Sequence, residues 1–161
     1  MSIASLPTRL SLSDIMDGIH SCTACPYSGK YGPCVSGWWS ARYETEVMVV
    51  GEAPGFNEQQ DGIPFIGPSG RWLNELLRLA GLSRERVYLT NAFKQRPSLT
   101  NANPPEDHLK TCVDTWLWQE IREVRPKVIV PVGRSAIRVF LPDVTTVAQA
   151  HRIPRTVVIE G

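Results

Sequence analysis

No stretch of the 161 residues comes near the ~20 consecutive apolar positions that a membrane-spanning helix needs. The first residues, MSIASLPTRLSLSD, contain no apolar leader core, so no secretory signal is visible and a cytoplasmic protein is expected. Charge of one sign is not in excess either: 17 Lys and Arg face 16 Asp and Glu, a formal net charge of +1. That balance excludes a strongly basic tail, although it leaves room for a locally assembled DNA-binding face. Repeats and low-complexity tracts are absent, and so are the phosphate-binding fingerprints GxGxxG and GxxxxGK[ST]. With 42% hydrophobic and 20% charged residues, the composition is that of one globular domain over 1–161, large enough to bury a core without disulfides.

Cysteine is scarce but clustered. Cys22, Cys25 and Cys34 fall within CTACPYSGKYGPC, a cysteine-bearing segment at 20–35, and Cys112 stands alone. Without a secretion signal, this clustering speaks for metal or iron–sulfur ligation over disulfides. The alternative is two unrelated pairs of thiols with Cys112 buried.

From residue 45 onward two periodicities alternate. Val47–Val50 and 87–90 are short apolar runs of the buried-strand kind, and 127–132 (KVIVPV) is a third. Between them, 69–80 places Trp72, Leu73, Leu76, Leu77 and Ala80 on one helical face, with Ser69 as N-cap and Gly81 as the stop. A second helix begins at PPEDHLK, carries Leu109, Cys112, Val113, Trp116, Leu117, Ile121 and Val124, and is stopped by Pro126. A short helix from Gly133 and Arg134 to Phe140, a helical turn in TTVAQAH and a last strand over 156–159 complete the pattern. The alternation predicts an α/β fold, a three-layer α/β/α arrangement around a short, mostly parallel central sheet.

Ligands bind such sheets at the carboxyl ends of the strands. The informative loops fall there: GEAPG after the first strand, TNAFKQRP after the second, VGRS after the third. The first continues through GFNEQQDGIPFIG, longer and more acidic than a plain connection, with a lone aromatic at Phe65. Asn91 offers an acceptor and two donors in one plane, which suits reading the edge of a nucleobase. An aromatic face, a planar amide and the carboxylate of Glu52 together describe a pocket for a base turned out of its stack. Arg71, Lys94, Arg96 and Arg134 stand near the loop ends, where they can meet phosphates.

These motifs resemble the uracil-DNA glycosylase superfamily, and within it the iron–sulfur-containing family four. GEAPGxxE, GxPFxGxxG, a strand-end TN followed by KxRP, an NPPE-like helix start and PKVIVxxG stand in the family's order and spacing from Cys22 to about Gly133. The resemblance implies a DNA-repair enzyme that hydrolyses the N-glycosidic bond of a flipped uracil, working as a monomer on uracil-containing DNA. It further implies that Glu52 serves the hydrolytic water or the developing sugar cation. Gly51 and Ala53 would line the uracil, Phe65 would stack on it, and Asn91 would hydrogen-bond its edge. It also implies a 4Fe-4S cluster.

Two departures stand out. Where the family has a cysteine in KCRP, this chain has Gln95, so either Cys34 takes the vacant place or the cluster is lost or altered; the expected ligand set is Cys22, Cys25 and Cys112, with Cys34 substituting. The family's His-Pro-Ser motif has no counterpart; the histidines are His20, His108 and His151, and the chain ends before that motif's place. Two other readings remain open. One is a non-catalytic DNA- or base-binding module of the same fold. The other is a structural zinc or redox site on a body that serves an unrelated small molecule.

Overall fold

The three apolar runs become a parallel sheet because each is bonded along its full length to a neighbour. In the computed structural model, which describes residues 10–40, 42, 44–100 and 102–159, β1 (Val47–Gly51) lies between β2 (Val87–Asn91) and β3 (Val128–Pro131). Val47 pairs with both Val87 and Val128, and the register runs on to Gly51 opposite Asn91. Both loop-bearing strand ends therefore finish level with one another. The outer side of β2 is closed by a single antiparallel bridge between Leu89 and Trp38.

Helices cover the two faces. On one, Met48, Val50 and Tyr88 pack against Val113, Leu117 and Ile121, and against Ala136 of α6 (Arg134–Phe140). On the other, Val49, Val87 and Leu89 pack against Phe65 and against Leu73 and Leu77 of α3 (Pro68–Leu79). The fold is thus three-layered α/β/α. Burial on both faces explains why β1 and β2 read as continuous apolar runs instead of alternating ones, whereas β3, at the edge of the sheet, leaves Val128 and Val130 exposed.

Several boundaries differ from the sequence expectation. Gly67, not Ser69, caps α3, because Pro68 fits the first helical turn, where a missing N–H costs nothing. Trp72 and Leu76 do not share the buried face: they are 73% and 61% exposed. Only the Gly70–Leu73–Leu77 line meets the sheet. The second helix runs as α4 (Glu106–Cys112), a π turn (Val113–Leu117) and α5 (Trp118–Val124), ending with Arg125 in the left-handed region before Pro126. Residues 156–159 form no strand. Their apolar, β-branched composition fits a pleated surface, but a strand exists only where a partner supplies its hydrogen bonds.

Three elements complete the architecture: α1 (Leu12–His20), α2 (Phe56–Asp61) and α7 (Val147–Ala150). Helix α1 opens on a capping box in which the Ser11 hydroxyl accepts from Asp14 N–H. Gly18 lets it lie flush on Trp116, where a Cβ would come within 2.5 Å of the indole. The leaderless reading of the first nine residues lies outside the described residues, and no described helix is long and apolar enough to cross a membrane.

Candidate functional site

The aligned ends of β1 and β2 bring Gly51 beside Asn91. A Cβ on Gly51 would stand 2.3 Å from Asn91 Oδ1 and 2.7 Å from Phe65 Cζ. Only glycine lets the Asn91 amide and the Phe65 ring come this close together over the strand end. The second loop is tied to the first by Ala92 N–H donating to Gly51 O and Phe93 N–H to Glu52 O.

Glu52 is fixed from the third loop. Its Oε1 accepts from Ser135 N–H at 2.6 Å, in the opening turn of α6. Gly133, with φ 97, sits so close that a side chain there would strike the Glu52 carboxyl group at 2.5–3.0 Å. The bond to Ser135 N–H and the close approach of Gly133 fix where the Glu52 side chain lies.

Phe65 is 8% exposed and has φ 55, a left-handed conformation that costs a non-glycine residue about 1–3 kcal/mol. The surrounding bonds hold it there. Buried Glu58 accepts from the N–H groups of Gly55 (3.1 Å), Ile66 (3.0 Å) and Gly67 (2.7 Å). Arg84 donates to the carbonyl oxygens of Phe65 and Pro64. Burial lowers the Arg84 pKa from its ordinary value, and the nearby Glu58 carboxylate opposes this only in part. Neither anchor was among the sequence candidates. Glu58 was visible only as the last letter of GEAPGxxE, and Arg84 carries no motif signal.

Gly51, Glu52, Ala53, Phe65 and Asn91 line one open cavity of about 600 Å³, together with Arg96 and Asn103. Among the described residues no histidine lines it. His108 packs instead against Tyr27, and His151 ends α7 in an exposed position.

Of the four basic candidates, Lys94 is a correction. It is 1% exposed, and its ammonium group donates to Glu120, to Thr90 Oγ1 (2.6 Å) and to Asn91 O (2.7 Å). Glu120 also accepts from Tyr88 O–H (2.9 Å) and Gly37 N–H (3.2 Å). A lysine so enclosed serves the scaffold under Asn91 and cannot reach a phosphate. Arg96 is half-buried over the Phe56 ring, its Nε without a partner, while Arg71 and Arg134 are exposed.

Away from this cavity, Cys22, Cys25, Cys34 and Cys112 line a second one, shared with Gln95 and Trp116. N–H groups already point at the sulfurs: Trp116 Nε1 at Cys22 (3.2 Å), Lys94 N at Cys112 (3.3 Å) and Gln95 Nε2 at Cys34 (3.0 Å). Burial pushes the Cys34 thiol up and the Cys112 thiol up to about 12. Among the described residues no three such groups converge as the ligands of a single ion do. A cubane cluster makes no such demand, since each iron takes its own thiolate. The donor set, four thiols with N–H groups to stabilise charged sulfur, suits that group, while the cavity between them, about 10 Å³, must widen to admit it.

A family model for the uracil DNA glycosylase superfamily matches residues 39–159. A type-4 uracil-DNA glycosylase of Archaeoglobus fulgidus is 40% identical over 126 residues, covering 78% of this chain and 61% of the relative. The type-4 enzyme of Saccharolobus solfataricus is 37% identical over 127 residues, 78% and 57%. That of Thermotoga maritima is 36% identical over 135 residues, 83% and 68%. The chain spans about three fifths of the length of the first two of these relatives. Sequence motifs, a three-layer fold and a family match that takes in all three loops agree: the chain belongs to the uracil-DNA glycosylase superfamily.

Proposed function

We propose that this domain, spanning 1–161, removes uracil from DNA by hydrolysing the N-glycosidic bond of a nucleotide turned out of its stack. The observation that carries the reading is the contact geometry at Gly51. There a planar amide and an aromatic ring approach over a missing side chain, with a carboxylate on the next residue. Phe65 would take the face of the base. Asn91 would accept from the uracil N3–H and donate to its O4. Cytosine presents the opposite pattern to an amide held in one orientation, leaving donors and acceptors unpaired. Cleavage builds positive charge on the sugar and negative charge on the departing base. Glu52 would answer the first by holding the water or facing the sugar cation, and Asn91 the second by its amide donor. Glu52 is suited to this because Ser135 N–H holds one of its oxygens and leaves the other free to work.

Cys22, Cys25, Cys34 and Cys112 would hold a 4Fe-4S cluster, Cys34 filling the corner left by Gln95. When bound, the cluster supplies a rigid tie among three chain segments. The residues' own contribution is thiolate ligation backed by the N–H donors of Trp116, Lys94 and Gln95. The protein would act as a monomer on uracil-containing DNA in the cytoplasm. Four free thiols suit a reducing compartment.

The test is incubation with a single-stranded oligonucleotide carrying one uracil, followed by alkali to reveal abasic sites. Strand scission at the uracil position alone is expected. Salt-dependent binding of the strand without scission would instead make the chain a non-catalytic DNA-binding module of this fold.

A further inference from the structure

The two peptide groups that flank Phe65 are held by a residue that does not line the cavity. Arg84 comes from the tight turn at Arg84–Arg86, just before β2. Its Nη1 donates to Phe65 O at 2.8 Å and its Nη2 to Pro64 O. These oxygens belong to the peptides on either side of the Phe65 Cα. The second of these peptides is also gripped at its other end, where Ile66 N–H donates to Glu58 Oε1. For Phe65 to leave φ 55 for an ordinary extended or helical value, one of the two peptides must rotate and break these bonds. The guanidinium group is itself placed from above, 5.0 Å from the centre of the Trp38 ring. Trp38 is pinned by its bridge to Leu89. A chain of contacts therefore runs from the outer edge of the sheet to the direction of one ring.

We infer that Arg84 is a positioning residue for base stacking, acting through Phe65 and not by touching the base. The inference rests on the reading that Phe65 stacks on uracil. A fork of two donors holds both carbonyls at once; without it the peptide before Phe65 loses this hold, and the one after it keeps the bond from Ile66 N–H to Glu58. Arg84→Met keeps the apolar stem under Trp38 and removes both donors. Arg84→Lys keeps the charge but reaches one carbonyl at a time.

The test is a double-mutant cycle read as affinity for a uracil-containing single strand relative to the same strand with thymine, which separates base recognition from backbone binding. Phe65→Ala is expected to lower the preference about tenfold, the scale of stacking one base on one aromatic. Arg84→Met in the native background should lower it about fivefold, with Arg84→Lys between native and Met. In the Phe65→Ala background Arg84→Met should have less than about a twofold further effect, since residues that act through one another are not additive. Equal losses in both backgrounds, or no loss in the native one, would overturn the inference while leaving stacking intact. No loss in Phe65→Ala itself would overturn the stacking reading and this inference with it.

Discussion

Gly51 shows how much a single missing side chain decides. Its neighbours on the strand, Val49 and Val50, are buried valines, and a third β-branched residue would suit the sheet. The constraint comes from Asn91 and Phe65, whose atoms stand 2.3 Å and 2.7 Å from where a Cβ would lie. Gly51→Ala should therefore displace one of them. We expect a loss of uracil-strand affinity of about tenfold or more, with a stability change of about 1–3 kcal/mol from overpacking. Strand binding and denaturant titration of the same variant check the two parts. At this scale, the grouping of Glu52, Phe65 and Asn91 at one cavity was legible because each sits at a strand end or within a glycine- and proline-marked loop, while Gly51 and Ala53 were marked only by the family resemblance. Lys94 was not. A charged residue in a polar-looking loop reads as exposed, and only the tertiary position of Glu120, twenty-six residues on, reveals that both are buried together. Arg84 was hidden for a related reason, since its partners are backbone carbonyls that no sequence pattern marks.

Elements follow periodicity only as far as their neighbours allow. On α3 the apolar residues make a stripe wider than the sheet can cover, so Leu73 and Leu77 are buried while Trp72, Leu76 and Leu79 remain exposed. The pattern identified the helix and left open which half of its stripe faces inward. Leu73→Ala should cost about 2–5 kcal/mol, and Leu76→Ala should stay within about 0.5 kcal/mol, both by denaturant unfolding. A similar cost for both would contradict the packing described. The π turn at Val113–Leu117 was likewise invisible, because an extra residue in a helix leaves no composition signal. It falls between Cys112 and the α5 helix, in the stretch from which Trp116 reaches Cys22. The β-branched residues at 156–159 form no strand, although the outer edge of β3 carries no other strand among the described residues.

The whole molecule joins two sites through one short segment. Residues 91–95 carry the Asn91 amide at one end and, at the other, a backbone N–H and a glutamine that donate to cysteine sulfurs. Gln95 Nε2 stands 3.0 Å from Cys34 Sγ, so a thiolate at either position would reach the same corner of the cavity. Cys34→Ser should reduce iron and acid-labile sulfide to well below half of the native content, and adding Gln95→Cys to that variant should restore them. Unchanged iron in Cys34→Ser would remove Cys34 from the ligand set. Burial favours the protonated forms of Cys34 and Cys112, and iron needs thiolates. Cluster assembly should therefore release protons and weaken as pH falls. The α/β alternation and the order of the three loops made the fold legible at this scale. That the loops close around one cavity depended on strand register, which only the paired backbone supplies.

The central claim is that a flipped uracil lies between Phe65 and Asn91. It is tested most directly by the rate of base release from strands that carry uracil or cytosine at one position, compared between the native protein and Asn91→Ala. The native protein is expected to release uracil alone, and Asn91→Ala to do so about 10²–10³-fold more slowly. Equal release of both bases, or uracil release undiminished in Asn91→Ala, would contradict it.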